Sequence, residues 1–164
     1  MTGGDAWAYT MIVLVTCLSL WAGITGVGLL SPPRCAAAEQ RLSAWPGRCI
    51  ATGAAIGVLG IALGLTMMNA NPAPLKIMGI ALILFLVLVA FPGAAGLARI
   101  AARRLRGDET ADLTFASTGR ASAMLILASL APFIGWFLVF PLQFFASLGA
   151  GLGVLRRTAT EPAP

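Results

Sequence analysis

Four long apolar runs, separated by short polar segments, set the pattern of this chain. The first covers about 8–30, behind Trp7 and Tyr9. Amphipathic rings at the mouth of an apolar run favour a membrane–water interface. Ser31-Pro32-Pro33 stops the run, because proline cannot continue the helical hydrogen-bond ladder. A short polar loop holding Arg34, Arg41 and Arg48 leads to a second run, about 49–68. Asn69-Ala70-Asn71-Pro72-Ala73-Pro74 then supplies turn chemistry. The third run, about 75–97, is rich in Leu, Ile and Val and has Pro92 near its end. Each of these three is long enough to cross a hydrocarbon core as a helix.

The segment 99–120 is the longest polar stretch. Its first part, Arg99-Ile100-Ala101-Ala102-Arg103-Arg104-Leu105-Arg106, predicts a basic juxtamembrane helix. Ile100, Ala101 and Leu105 would face the membrane, and Arg99, Arg103, Arg104 and Arg106 would reach lipid headgroups. Gly107-Asp108-Glu109 ends it, and a polar linker follows as far as Arg120.

The fourth run, 121–155, is too long for one simple span. As a straight helix it would measure roughly 50 Å, against a hydrocarbon core of about 30 Å. Pro132, Gly135 and Pro141 interrupt it, so it is read as a broken element: a kinked, tilted helix or a re-entrant hairpin turning near Pro132 to Trp136. Lys and Arg number none before the first run, three in the first loop, one in the second, five in the third and two after the last run. The positive-inside rule then puts the N-terminus outside and segments 31–48 and 99–120 in the cytoplasm. The hairpin also returns Arg156 and Arg157 to the cytoplasm, and is the preferred form. The fold class expected is all-α: a polytopic helix bundle forming one domain over 1–164, with three transmembrane helices and a proline-broken fourth element.

Composition agrees. Of 164 residues, 59% are hydrophobic and 10% charged. Soluble domains average about 45–50% and 25%. The net charge of +5 comes from ten arginines and one lysine, nearly all lying between the apolar runs. That placement points to anionic headgroups rather than nucleic acid. The absence of histidine removes His-based triads and His-containing zinc sites. No cofactor or metal site is expected, and no nucleophile has a partnering base, so the chain reads as non-enzymatic. Asp108, Glu109 and Asp112 are explained by solubility and helix termination. Cys17 reads as a packing residue, and Cys35 and Cys49 as free cytoplasmic thiols.

The second run carries the clearest internal pattern. Gly53, Gly57, Gly60 and Gly64 are spaced four, three and four apart, which aligns them on one helical face. Small-xxx-small stripes let helix backbones approach closely in lipid. The stripe predicts tight helix contact, either within the chain or with a membrane-protein partner or second copy. Gln143 is the one large polar side chain deep in an apolar run. It is read either as bonded to a neighbouring helix or as lining a pore or ligand cavity.

Ala131-Pro132-Phe133-Ile134-Gly135-Trp136, followed by Leu148-Gly149-Ala150-Gly151-Leu152-Gly153, resembles the C-terminal hydrophobic module attached to some bactofilin-type polymer-forming proteins. Those modules are glycine-rich, have several spans, and often carry a Pro-x-x-Gly-Trp break before a glycine-rich helix. The resemblance centres on 121–155, extends loosely to the second and third runs, and implies a membrane-embedded module. The chain lacks the polymer-forming β-helical repeats of those proteins, so the resemblance implies nothing about filaments and transfers no residue role. The leading expectation is a bacterial inner-membrane accessory or scaffolding protein acting through glycine-mediated helix contacts. The alternative is a small oligomeric channel or permease whose broken fourth element lines the path.

Overall fold

Why each helix begins and ends where it does is largely local. The computed structural model describes residues 3–70, 72–107, 114–131 and 133–158. All its elements are helical: α1 (Gly3–Leu30), α2 (Pro32–Ala44), α3 (Pro46–Asn69), α4 (Ala73–Arg106), α5 (Phe115–Leu130), a π-helical turn (Gly135–Val139) and α6 (Phe140–Thr158). Prolines occupy the first turns of α2, α3 and α4, where a missing N–H costs nothing. Gly107 closes α4 in the left-handed conformation, with φ of 68°, and donates its N–H to the Arg103 carbonyl. Arg103, Arg104 and Arg106 fill the last turn of that helix, where cations suit its dipole.

Three local outcomes differ from the sequence pattern. The first polar segment is a helix, α2, because Pro33 pre-sets the first turn and Ala36 to Leu42 are mostly strong helix formers. The third apolar run and the basic segment after it are one helix of 34 residues, α4, carried through Pro92 without interruption. The last residues of the polar linker, 115–120, are already the first turns of α5. The rest of that linker, with Asp108, Glu109 and Asp112, lies outside the described residues.

The fourth apolar run divides into α5, the π-turn and α6. Phe133 sits at φ of 65°, a left-handed conformation that costs a non-glycine residue about 1–2 kcal/mol. Gly135 follows against α5: a Cβ there would lie 2.5 Å from the Ser129 carbonyl oxygen. The π-turn ends two residues before Pro141, whose ring in a regular α-helix would clash with the carbonyl of Phe137. The break keeps backbone hydrogen bonds, from Gly135 N to Ala131 O at 2.9 Å and from Phe137 N to Phe133 O at 3.0 Å. Lipid would offer those groups no partner.

Three apolar clusters hold the bundle. Ala38, Leu42 and Cys49 meet Ala146, Ala150 and Val154 where α2 and α3 touch α6. Ile24, Cys35, Ala95 and Ala98 join α1, α2 and α4, with Leu125 and Ile126 of α5 against them. Leu86, Val89 and Ala90 of α4 meet Leu148 of α6. Trp21 Nε1 donates to the Gly119 carbonyl at 3.0 Å, fixing the start of α5 beside the second half of α1. Gly153 of α6 approaches the Arg41 guanidinium of α2. The fourth run therefore enters and leaves at the end of the bundle occupied by α2.

Candidate functional site: an apolar cleft and its supporting helix contacts

Gly53, Gly57, Gly60 and Gly64 share one side of α3 but serve two neighbours. A Cβ on Gly53 would run into the Phe145 carbonyl of α6, and one on Gly57 would lie 3.1 Å from Leu148 and Phe145. A Cβ on Gly60 would lie 2.6 Å from Leu86 of α4, and one on Gly64 2.7 Å from Ile83. Partner glycines complete the contacts: Gly79 against Gly64, Gly149 against Cys49, and Gly93 and Gly151 between α4 and α6. The stripe is occupied within the chain.

The basic residues of α4 separate into two groups. Arg99 Nε donates to Glu39 Oε2 of α2 at 2.9 Å, and Arg103 Nε lies 2.7 Å from Glu39 Oε1, off the line of a hydrogen bond. These two arginines, expected at lipid headgroups, are instead turned onto a carboxylate that is itself mostly buried. Arg104 and Arg106 are exposed, and Arg106 donates to the Thr114 hydroxyl at 2.9 Å. Glu39 was not singled out in the sequence; its signal was its position as the lone acid of a segment with three arginines.

The three cysteines are free thiols. Cys35 and Cys49 are buried in different clusters. Burial pushes the Cys35 thiol above its ordinary pKa, with nearby Arg99 opposing the shift.

A cleft of about 440 Å³ opens between α1, α4, α5 and α6. Its walls include Ile12, Thr16, Cys17 and Leu20 of α1, Phe91 and Ala94 of α4, Ser129 of α5, and Trp136, Phe140 and Gln143 beyond the break. This is the volume of a small-molecule site, mostly apolar with a few convergent polar groups. Gln143 Oε1 accepts from the Ser129 hydroxyl at 2.8 Å, while its Nε2 reaches the Leu125 carbonyl only at 3.5 Å. Ser129 Oγ also lies 2.9 Å from that carbonyl, so its single proton serves one acceptor at a time. Gln143 thus has amide hydrogen-bonding capacity left for the cleft. Of the break residues, Gly135 and Pro141 flank the turn beside this cleft, and Pro132 lies outside the described residues. Among the described residues no group of His, Cys, Asp or Glu is placed to hold a metal.

No protein-family model, curated protein or solved structure matches the chain. Its class therefore rests on the structure. Among the described residues four helices, Trp7–Leu30, Pro46–Asn69, Ala73–Arg106 and Gly135–Leu155, are long and apolar enough to cross a membrane. The chain is a multi-pass integral membrane protein with an all-α bundle.

Proposed function

We propose that this protein is a non-enzymatic accessory or scaffolding subunit of a bacterial inner membrane, holding a partner transmembrane helix against α1. The observation that carries this reading is an open small-residue face on α1. Every glycine of α3 from Gly53 to Gly64 meets another helix, whereas Gly26 of α1 meets nothing within 4 Å. Ser19 and Ala22, at helical spacing from Gly26, are exposed. Only 11% of the α1 span is buried, against 44% in the span of α6. Small residues are what helix association in lipid uses. The reading places the N-terminus outside and the α2 end of the bundle, with its exposed Arg104 and Arg106, against anionic cytoplasmic headgroups. The likeness to the bactofilin-linked module is compatible with such a role.

The alternative, a channel or permease path past Gln143, draws on the position of that residue beside the break. An almost wholly apolar lining suits a polar solute poorly. The test is photo-crosslinking in cells from a reactive residue in place of Ala22, with Leu84 on the exposed side of α4 as the comparison site. A discrete protein adduct from Ala22 alone is the expected result. Lipid adducts only, at both sites, would overturn the proposal.

A further inference from the structure

We propose that the cleft between α1 and the broken fourth run binds a lipid-soluble molecule with a planar, carbonyl-bearing ring and an alkyl or isoprenoid tail, a quinone in chemical class. Three observations converge on that chemistry.

The cleft is long. Its lining runs along α1 from Ile12 to Ile24, about 18 Å at the helical rise. An extended tail fits such a slot better than a compact solute.

The lining is also uncharged, and aromatic at one end. Trp136, Phe140 and Phe144 line the cleft at and just after the break, and Phe140 and Phe144 stack with ring centroids 6.4 Å apart. Rings arranged this way favour a planar guest by offset or edge contacts.

Gln143 is the third observation. Its carboxamide is held by Ser129, yet its Nε2 makes only a long contact to Leu125. An amide N–H facing an apolar cavity recognises a carbonyl oxygen, and leaving it without a partner in hydrocarbon is costly. A simple alkyl chain satisfies the slot but not the amide. A quinone satisfies both, with one carbonyl on Gln143 and its ring among the phenylalanines. Entry is sideways from the bilayer, past the exposed Trp136 and Phe137.

This inference uses the inner face of α1 and does not depend on the partner-facing residues Ser19, Ala22 and Gly26. The test is a fluorescence titration of the purified full-length protein in detergent with decylubiquinone, whose ring quenches tryptophan. Trp136 is the reporter, and Trp136→Phe identifies its share of the signal. The expected result is saturable quenching of Trp136, at least tenfold weaker in affinity for Gln143→Met and for Cys17→Phe, which narrows the cleft midway along α1. Both variants should elute as the parent does, and either one alone keeps the test decisive. Equal quenching in the parent and the variants would overturn the proposal. So would displacement by decylbenzene, which has the ring and tail without carbonyls, at the same affinity: the cleft would then be a crevice for any alkyl chain.

Discussion

Glu39 of α2 holds Arg99 of α4 across 60 positions of sequence, carboxylate oxygen to Nε at 2.9 Å. Arg103, one turn further along α4, closes on the other oxygen of the same carboxylate. Glu39 is thus the electrostatic link between the short helix at the bundle end and the longest helix of the chain. Next to it, Gly96 lets α2 approach: a Cβ there would lie 3.0 Å from Ala38 Cβ. The pair is only partly exposed, so both water and salt screen it weakly.

Removing Glu39 takes away the carboxylate on which both Arg99 and Arg103 close. Glu39→Ala should lower stability by about 2 kcal/mol, the scale of hydrogen bonds to charged groups. Thermal unfolding in detergent measures it, and a double-mutant cycle with Arg99→Ala isolates the pair. A coupling energy indistinguishable from zero would mean that apolar contacts alone dock α2.

The glycines should fall into two classes when substituted. At Gly53 an added methyl meets the Phe145 backbone carbonyl, which cannot move without α6. Gly53→Ala should therefore cost about 3 kcal/mol, the upper range of overpacking. At Gly60 the obstacle is the Leu86 Cδ1 atom, which can rotate away. Alanine also recovers about 1 kcal/mol of helix propensity, so Gly60→Ala should be near neutral. Detergent-stability scans of the two variants test the ordering, and equal losses would refute it.

Much of this architecture was readable from local pattern. The apolar runs, the aligned glycines and the break at Gly135 and Pro141 each follow from period, length or backbone chemistry that neighbours in sequence determine. What escaped was pairing. Spacing puts Gly53 and Gly64 on one side of a helix, but only the crossing of α6 and α4 decides that the first meets Phe145 and the second Ile83. In an apolar helix nearly every position is hydrophobic, so the pattern does not mark the buried side. That is why the loose seating of α1 was not visible. Glu39 was missed for a related reason: a carboxylate in a basic segment reads as solvated until a second helix supplies its arginines. Gln143 stood out at once, whereas Ser129 is one of many small polar residues and only the fold joins the two.

Cys35 gives a pH-dependent prediction. Its side chain is fully buried and its Sγ lies 3.6 Å from the Val27 carbonyl. Its pKa is raised from 9.0 by loss of hydration, so the folded state favours the neutral thiol. The stability this contributes is complete below pH 9 and is lost as pH climbs through the raised value. Alkylation of Cys35 at pH 8 should lag far behind that of an exposed thiol and reach the unfolded rate only in denaturant. Equal rates for Cys35 and a cysteine introduced at Ser43 would show that α2 is not seated as described.

The last prediction concerns which ends of the chain share a side of the membrane. Val154 of α6 packs with Ala38 and Leu42 of α2, so the end of α6 and the whole of α2 lie together. Asn69, at the far end of α3, belongs to the opposite end, because α3 runs away from its contact with α2 through a full span. The native Cys35 and Cys49 are buried and cannot report sidedness by reagent exclusion. Exposed positions must do so instead. Ser43→Cys and Leu155→Cys should be labelled by an impermeant thiol reagent under the same condition, and Asn69→Cys under the opposite one. If charge orients the bundle, Asn69→Cys reacts in intact cells and the other two only after the membrane is opened. Reaction of Leu155→Cys together with Asn69→Cys would break the hairpin, because α6 would then end on the side where α4 begins.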